Sequence, residues 1–465
     1  MKNPIACAIL TSTLAYTFPA LAQDAPQPAA PPAAPAMPAA PAAAPDAPAA
    51  AAANPPGAAA QLFDPALLQL YMDVMKDIRR VTNHHATLKE RVDLMRNFSL
   101  APNTRAEFQE VFGNDNPVHV SVEDLPQGGA AIHGSTDVLD HTDAKTGATI
   151  HFDPVTFESV VNRDYKGVKY TFSMPGVKVV SPTDPKIFEF SDITVSADDT
   201  VGPYNFLIGK STGKFGRMRI GSPDSFALDF NDISFDGNVS VHKKLFDVAI
   251  GYRVASIDWG KDKLEDVRTD FGVVNIDAES LEKLVEFSES FDIGKQPDAA
   301  QTDAVMKMLK RFAVDISRHN GAIEIRDFSA QYHGQRAGVS GRIALPNVKQ
   351  SDLDSVQKTY EKLVLRLRLH VPTQMIDDIS HRVARSMMEA QAKQNGSEVT
   401  DVAVDLVARG VVGKITDTLV KQQKWAHMEK DELVTVFEIR RGKMYLDGHI
   451  VNAKSNPFLA MAQGK

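Results

Sequence analysis

The side chains best suited to metal or acid–base chemistry are concentrated between residues 133 and 153. Aspartates recur there at three-residue steps, and closely spaced carboxylates are ligands that hard cations such as Ca²⁺ prefer. The stretch fits no EF-hand calcium loop, because the twelfth position counted from Asp137 is Ala148 rather than glutamate. The residues concerned are His133, Asp137, Asp140, His141, Asp143, His151 and Asp153.

Two hypotheses account for this stretch. Asp, Gly and Thr are ordinary turn residues, so the simpler hypothesis is a solvated hairpin loop without a ligand. The alternative is a metal-assisted hydrolase that uses the His133–Asp153 cluster, with Asp137, Asp140, His141 and Asp143 as candidate metal ligands. We favour the loop, because the sequence has no glycine-rich phosphate loop, no G-x-S-x-G elbow and no H-E-x-x-H motif. The sequence therefore predicts no catalytic residues and no cofactor.

Two other polar groups have simple interpretations. His84 and His85 are adjacent, whereas a metal-binding pair on a helix needs a spacing of three or four residues, so a surface position is predicted. Arg366, Arg368 and His370 form a cationic strip along one side of a strand. We interpret the strip as a solvated sheet face, and the alternative is a site for an anion or an acidic partner.

The strand that carries this strip is the best-defined element of the chain. Apolar residues alternate with polar ones from Leu363 to Val371, which is typical of a half-buried strand, and Pro372 ends it. The same alternation begins at Val118 and recurs in short runs that Gly, Pro, Asn and Asp separate. The predicted strands are Ala131–Ser135, Thr149–Phe152, Lys169–Phe172, Val177–Val180, Ile187–Phe190, Tyr204–Ile208, Phe226–Phe230, Val239–Val241, Val248–Ile257, Gly321–Ile325 and Ala337–Leu345.

A weak internal repeat runs through these strands. Each copy is a strand followed by an aspartate, an apolar residue and a hydroxyl residue, and the aspartates are Asp192, Asp232 and Asp327. Asp tolerates left-handed backbone geometry, so each is predicted to turn or bulge its strand. A shared catalytic role is disfavoured, because catalytic carboxylates need unlike environments. Stacked repeats of this kind favour an extended, curved antiparallel sheet.

Apolar residues at three- and four-residue steps predict amphipathic helices beside the sheet. Asp64 and Pro65 are suited to the start of the first helix. Arg441-Gly442 is a two-residue link that predicts a terminal hairpin of Leu433–Arg440 and Lys443–Val451. The predicted helices are Asp64–Asn97, Ser280–Phe291, Thr302–Ile316, Thr373–Gln394 and Val399–Lys421.

The N-terminus predicts export. Lys2, a short apolar stretch and Ala20-Leu21-Ala22 are typical of a cleavable signal peptide, which places the mature protein in the bacterial periplasm or outside the cell. The alternative is an uncleaved segment that anchors the protein in the inner membrane. The stretch that follows, up to Ala60, consists almost entirely of Ala and Pro and cannot form a core, so we expect a disordered linker. It is either a spacer through the envelope or a passive tail.

Charge and cysteine content narrow the possible partners. With 51 basic and 59 acidic residues the net charge is −8, which argues against nucleic acid or an anionic lipid surface as partner of the whole protein. The single cysteine, Cys7, lies in the predicted signal peptide. Disulfides and thiolate sites are therefore not expected in the mature protein.

The C-terminal block resembles the YdgA-like family of bacterial envelope proteins. The similarity rests on the strand ending in Val371-Pro372, the helices after it, and the final strand pair with Gly442-Lys-Met-Tyr-Leu-Asp-Gly448. Upstream, helices lead into the strand Gly321-Ala-Ile-Glu-Ile-Arg-Asp327, and the resemblance covers Val160 to Asn452. It implies an exported, β-rich protein and no catalytic residues. The proline-rich linker and the cleavable N-terminus depart from the family pattern.

Together these observations predict an α+β, β-rich protein whose curved antiparallel sheet carries amphipathic helices. Its expected role is non-enzymatic: binding a lipid, or an envelope protein partner, in a groove of the sheet, with no membrane span after signal cleavage. The expected organisation is a signal peptide (1–22), a linker (23–61), a long helix (62–98), a β-rich body (99–350) with a helical insert (280–316), and a C-terminal strand, two helices and hairpin (351–465).

Overall fold

The structure is a computed structural model that describes residues 65–82, 85–143, 147–180, 187–221, 227–260, 262–289, 299–395 and 398–451. The predicted signal peptide and linker lie outside these residues. Within them, one large open antiparallel sheet of eighteen strands is accompanied by eight α-helices, which confirms the predicted β-rich α+β class.

The strands follow one another along the chain with few interruptions. They are β1 (Val118–Asp124), β2 (Ala130–Thr136), β3 (Leu139–Thr142), β4 (Thr149–Phe152), β5 (Thr156–Val161), β6 (Gly167–Val180), β7 (Ile187–Val201), β8 (Leu207–Gly221), β9 (Ala227–His242), β10 (Leu245–Trp259), β11 (Asp262–Asp277), β12 (Ala322–Tyr332), β13 (Gln335–Ala344), β14 (Val364–Pro372), β15 (His427–Glu429), β16 (Glu432–Arg440), β17 (Lys443–Leu446) and β18 (His449–Ile450).

The described helices lie at four places in the chain. They are α1 (Pro65–Val81), α2 (Leu88–Arg96), α3 (Pro102–Phe112), α4 (Ala278–Glu289), α5 (Ala299–Arg318), α6 (Val356–Lys362), α7 (Thr373–Asn395) and α8 (Asp401–Thr416), the last followed by a π-helical turn (Asp417–Gln422). α1–α3 precede the sheet, α4 and α5 form the predicted insert, and α7 and α8 pack as a hairpin.

The sheet is essentially a meander. Strands pair in the order β1, β2, β5 and then β6 through β14, and β16 pairs with β14 after the α7–α8 hairpin. β4 pairs with β6 beyond the end of β5, and β16 is bordered by β15 and β17. The C-terminal block is therefore part of the same sheet as the body, because β14 pairs with β13 along seven residues.

Six central strands, β6–β11, are 14 to 16 residues long, or about 50 Å. The sequence predicts shorter strands, and this prediction is wrong. The single strand β6 contains two separately predicted strands, Lys169–Phe172 and Val177–Val180. The single strand β9 likewise covers most of Phe226–Phe230 and all of Val239–Val241. Proline, glycine and aspartate lie inside these strands, where their usual role in turns misleads the prediction. The sequence also fails to predict β3, β5, β11 and β15, and the predicted strand Tyr204–Ile208 overlaps only the first two residues of β8.

The single N-terminal helix predicted over 62–98 is also wrong, because α1 and α2 are separate helices. Thr87 caps α2: its hydroxyl accepts from the Glu90 amide, and the Glu90 carboxylate accepts from the Thr87 amide. This capping box fixes a helix start between the two apolar stretches. α3, which the sequence analysis does not predict, begins with Pro102 and ends at Gly113 with φ +70°.

The helices cover the sheet at one end of its long strands. Leu88 and Val92 of α2 pack on Val161, Val168 and neighbouring residues. Another apolar cluster lies under α4 and α5, where Val285 meets buried sheet and loop residues. The N-terminal helices share a further cluster around Leu70, Leu100 and Phe108. Within the part of the chain that the structure describes, these clusters leave much of the apolar sheet face without a helix against it.

Candidate ligand-binding face of the sheet

Strand register places apolar residues opposite one another in continuous rows across the sheet. Registered partners in antiparallel strands point to the same side, so each row lies on one face. The aromatic row consists of Phe157, Phe172, Val195, Gly213, Phe235, Tyr252 and Thr269. Two residues further along the strands, the long row consists of Tyr170, Ala197, Ser211, Gly237, Ile250, Phe271, Ile325, Gly341, Leu367, Phe437 and Leu446.

A third row lies on the same face, two residues nearer the helices. The valine row consists of Val161, Val168, Asp199, Gly209, Val239, Val248, Val273, Ile323, Ile343, Leu365, Ile439 and Met444. We call these three rows the central band. Because the long row crosses eleven strands, the band is about 50 Å across.

The opposite face of the same strands is polar. One of its rows consists of Glu158, Thr171, Ser196, Thr212, Asp236, Gly251 and Asp270. Ser196 and Thr212 exchange a hydrogen bond of 3.0 Å, and Lys169 pairs with Asp198 at 2.9 Å. The sheet is therefore amphipathic, with one face suited to water and one suited to apolar contacts.

The alternation of apolar residues shifts by one position along a line that crosses β6–β11. At this line each strand has a position that is skipped between the regular pairs before and after it, and we call these positions the kink row. The kink row consists of Pro175, Asp192, Gly216, Asp232, Ala255 and Asp266. Asp192, Asp232 and Asp266 have φ of 56°, 48° and 42°, in the left-handed region. The left-handed backbone expected at Asp192 and Asp232 is confirmed, but the strand register does not shift there, so neither residue forms a bulge with an extra residue. Asp327 lies where the β12–β13 register shifts.

Beyond the kink row a second set of apolar residues forms the distal band. Its two rows are Leu139, Phe152, Val177, Phe190, Met218, Phe230, Ile257 and Leu264, and Ile150, Val179, Phe188, Ile220, Leu228 and Trp259. The alternate positions are charged, and Arg217 binds Asp229 through two hydrogen bonds. This pairing holds the pKa of the Asp229 carboxyl below its usual value. On both sides of the kink row, apolar and polar residues therefore alternate along the long strands.

Several aromatic side chains in and beside the central band are half-buried although no apolar cluster under a helix contains them. The four clusters that the described residues form do not include Phe172, Phe215 or Phe235. The ring centroids of Phe235 lie 6.1 Å from Phe215 and 6.2 Å from Tyr252, so the rings form a connected aromatic surface. Such a surface can take up a flexible apolar ligand by removing its area from water.

One charged side chain interrupts the central band. Asp199 lies in the valine row between Val168 and Gly209 and is only 6% exposed. Burial and the nearby Asp198 carboxylate raise the pKa of Asp199 to about 6. A carboxyl in this setting carries less charge at neutral pH than an exposed one.

The candidate metal ligands predicted between residues 133 and 153 do not converge. Asp137 accepts from Asn114 at 2.8 Å and contacts His119 at 3.1 Å, while His141 donates from Nδ1 to the carbonyl of Val111 at 2.7 Å. Asp140 instead contacts His151 Nδ1, across the β3–β4 hairpin, at 2.7 Å.

The remaining candidate residues between 133 and 153 also have separate surroundings. The backbone of Asp143 closes the loop through hydrogen bonds with Ala148 and Gly147, and His133 is exposed on β2. His151 also contacts Asp153 at 3.3 Å. Its hydrogen bonds to Asp140 and Asp153 raise the pKa of the His151 imidazole. What the structure brings together is this His151 group, not a four-ligand site.

A different group is suited to a metal ion. Among the described residues, His85, Glu282 and Glu286 bring one ligand atom each within 4.8 Å of one another. His85 is exposed, as predicted, and the glutamates lie one turn apart on α4. The spacing of the glutamates on one helix face was visible in the sequence, but their approach to His85 depends on the tertiary packing of α4.

The predicted cationic strip on β14 is matched by glutamates. Arg366 pairs with Glu438 at 3.4 Å, Arg368 with Glu429 at 2.5 Å and His370 with Glu432 at 3.5 Å. The side chains of Arg366 and Arg368 are 72% and 44% exposed, so the pairs are in contact with water. This arrangement agrees with a solvated sheet face better than with an anion site.

Comparison with known protein families assigns this chain to one of them. Residues 96–453 match the profile of a family described as bacterial proteins of unknown function, DUF945. The chain belongs to this family. No curated protein and no solved structure matches the chain. Among the helices that the structure describes, none is both long and apolar enough to cross a bilayer.

Proposed function

We propose that this DUF945 protein is a non-enzymatic binding protein of the bacterial envelope that holds the acyl chains of lipids on its central and distal bands. The observation that carries the proposal is the middle of the aromatic row, where Phe172, Phe235 and Tyr252 are half-buried and lie outside the clusters beneath the helices. An amphipathic sheet whose apolar face lacks a packed layer has surface available for a ligand.

The chemistry of the bands favours acyl chains over compact ligands. The rows run across many strands and offer aromatic and branched side chains with few polar groups. Each buried CH₂ contributes roughly 0.8 kcal/mol, so affinity grows with the length of chain in contact with the band. A polar, compact ligand would leave its hydrogen-bonding groups unsatisfied there.

Export and membership of the YdgA-like group are part of the proposal. The signal-peptide pattern of residues 1–22 and the Ala/Pro-rich stretch after it support a role beyond the cytoplasm, on a flexible spacer. Cleavage can be tested by N-terminal sequencing of the protein recovered from its host. A mature chain that begins at Gln23 agrees with the proposal, and an intact Met1 in membrane fractions contradicts cleavage.

Substitution on the two faces of one strand tests the binding proposal. Phe235→Asp places a charge in the aromatic row, and Ser234→Asp places the same charge at the adjacent position on the polar face. We expect Phe235→Asp to weaken hexadecanoate binding at least tenfold in calorimetric titration, because the ring contributes about 1.5–3 kcal/mol when buried. Ser234→Asp should stay within twofold of the unsubstituted protein.

The outcome against the proposal is equally definite. If the unsubstituted protein binds no hexadecanoate and none of a series of longer-chain lipids, the bands do not serve acyl chains. Equal losses in both variants, with unchanged circular dichroism, would place the ligand away from the apolar face.

A further inference from the structure

Asp199 lies where the central band is otherwise apolar. Its registered partners are Val168 and Gly209, and the same row continues through Val161 and Val239. Within the three described rows of the band it is the one residue with a charged side chain. The residue as a whole is 94% buried.

The carboxyl of Asp199 is buried without a compensating charge. The charged group closest to it in its own strand is Asp198, which has the same sign and pairs with Lys169 on the polar face. No hydrogen bond or ion pair joins the Asp199 carboxyl to another of the described residues. A buried carboxyl in this state is expected to bind a hydrogen-bond donor or cation when one is supplied.

Gly209 provides the space for this carboxyl. A Cβ on Gly209 would lie 2.5 Å from Asp199 Oδ1 and closer still to the Asp198 carbonyl. Glycine at this position therefore lets the carboxyl lie across the neighbouring strand, level with the valine row. The result is an acceptor group at the edge of an apolar surface, the arrangement that an amphiphile with a polar head requires.

We infer that Asp199 is the head-group site of the central band and binds the primary ammonium group of an aliphatic ligand. The inference rests on the proposed binding of aliphatic chains. An ammonium brings three N–H donors and the opposite charge, so it forms charge-assisted hydrogen bonds with the carboxylate. Its chain then lies along the long and aromatic rows, because the helices pack on much of the valine row.

Three ligands with the same chain test this inference: dodecylammonium, dodecanol and dodecanoate, titrated into the full mature protein at pH 7.5. We expect dodecylammonium to bind at least tenfold more tightly than dodecanol, and dodecanoate to bind more weakly than either because of like-charge repulsion. Asp199→Asn should reduce dodecylammonium binding at least tenfold and leave dodecanol within twofold. Asp198→Asn, the adjacent carboxyl on the polar face, is the matched control and should change neither.

A second measurement keeps the test independent of the variant's folding. Infrared difference spectra of the unsubstituted protein at about pH 5, where a carboxyl with a pKa of about 6 is mostly protonated, should show loss of a protonated carboxyl band when dodecylammonium binds, and no such loss with dodecanol. Vesicle-extraction assays distinguish the source of the ammonium. Phosphatidylethanolamine, which has N–H donors, should be preferred over phosphatidylcholine of the same chains if the natural ligand is a lipid, and equal extraction of both would point to a free amine.

The failures of the two proposals are distinguishable. If all three dodecyl compounds bind equally and Asp199→Asn alters nothing, the band binds aliphatic chains but Asp199 is no head-group site. If none of the compounds binds, the proposed function itself fails, and the head-group assignment fails with it.

Discussion

The ring of Phe235 lies over Gly213, its registered partner on the adjacent strand β8. A Cβ added to Gly213 would overlap the ring, so the glycine is what allows the aromatic row to lie close to the sheet. The missing side chain at Gly213 in β8 thus determines how closely the Phe235 ring of β9 can lie against the sheet. It also explains why a residue that weakens strands in general is found in the middle of β8.

Gly213→Val is therefore expected to destabilise the protein. The larger side chain must displace the Phe235 ring, and overpacking of this kind costs about 1–3 kcal/mol in the free energy of unfolding. Urea denaturation followed by circular dichroism measures the loss. Gly410→Ala on α8, where an added Cβ meets no atom within 4 Å, is the control and should stabilise by about 0.5–1 kcal/mol. A neutral Gly213→Val would show that the ring does not need this space.

The kink row should be sensitive to the backbone freedom of its aspartates. Asp232 has φ of 48° within β9, a conformation that β-branched residues adopt at high cost. We expect Asp232→Val to lower the free energy of unfolding by about 1–2 kcal/mol, and Asp232→Gly to be close to neutral. Thermal unfolding of the two variants in parallel separates backbone strain from loss of the carboxylate. Equal stability of the valine and glycine variants would contradict a left-handed residue at this position.

Asp199 should make the folded state less stable as the pH rises. Its folded pKa of about 6 lies above the usual 3.8, so the folded protein holds a proton between these values that the unfolded chain has released. The stabilisation is complete below about pH 3.8 and lost by about pH 6, and it amounts to roughly 2–3 kcal/mol. Asp199→Asn is expected to be more stable than the unsubstituted protein at pH 8 by up to that amount. The difference between the two unfolding curves should shrink towards pH 4, and a difference that does not vary with pH would contradict the raised pKa.

Trp259 offers a direct test of the distal band. It lies in the row of Phe188 and Leu228, and the only other tryptophan of the chain is Trp425. In a Trp425→Phe background, a brominated fatty acid is expected to quench at least half of the Trp259 emission at saturation, because bromine quenches only at contact range.

A tryptophan on the polar face is the matched control for that experiment. Lys263 is registered opposite Asp258 and is exposed, so Trp259→Phe combined with Lys263→Trp moves the fluorophore across the sheet. Its emission should fall by no more than the quenching seen with a free tryptophan analogue. Strong quenching at both positions would indicate non-specific association with the fatty acid.

The sequence predicts the kind of structure better than its dimensions. Alternation in short runs correctly indicates antiparallel strands, and the repeated aspartates correctly indicate left-handed backbone at Asp192 and Asp232. The length of β6 was not predictable in the same way, because Pro175 and Gly176 are residues that usually end a strand. The two short predicted strands within β6 could have been recognised as one, because the apolar alternation continues beyond Pro175 and Gly176 after a shift of one position.

The candidate site was less predictable than the fold. The rows depend on register between strands, and a slip of one residue would move every side chain to the other face. His151 and Asp140 are eleven residues apart and meet only because β3 and β4 pair, so residue spacing alone suggested a four-ligand cluster that does not form. The capping box at Thr87 and Glu90 was readable in the sequence and would have divided the first helix correctly.

The meander also has a consequence for how such chains can differ in size. α4 and α5 are inserted between β11 and β12, and the α7–α8 hairpin between β14 and β16, yet the strands on either side remain paired. Adding or deleting one β-hairpin changes the width of the sheet by about 10 Å and leaves every other pair in register. Relatives of this protein are accordingly expected to vary in length by whole hairpins, so evolution can change the breadth of the apolar surface without redesigning the fold.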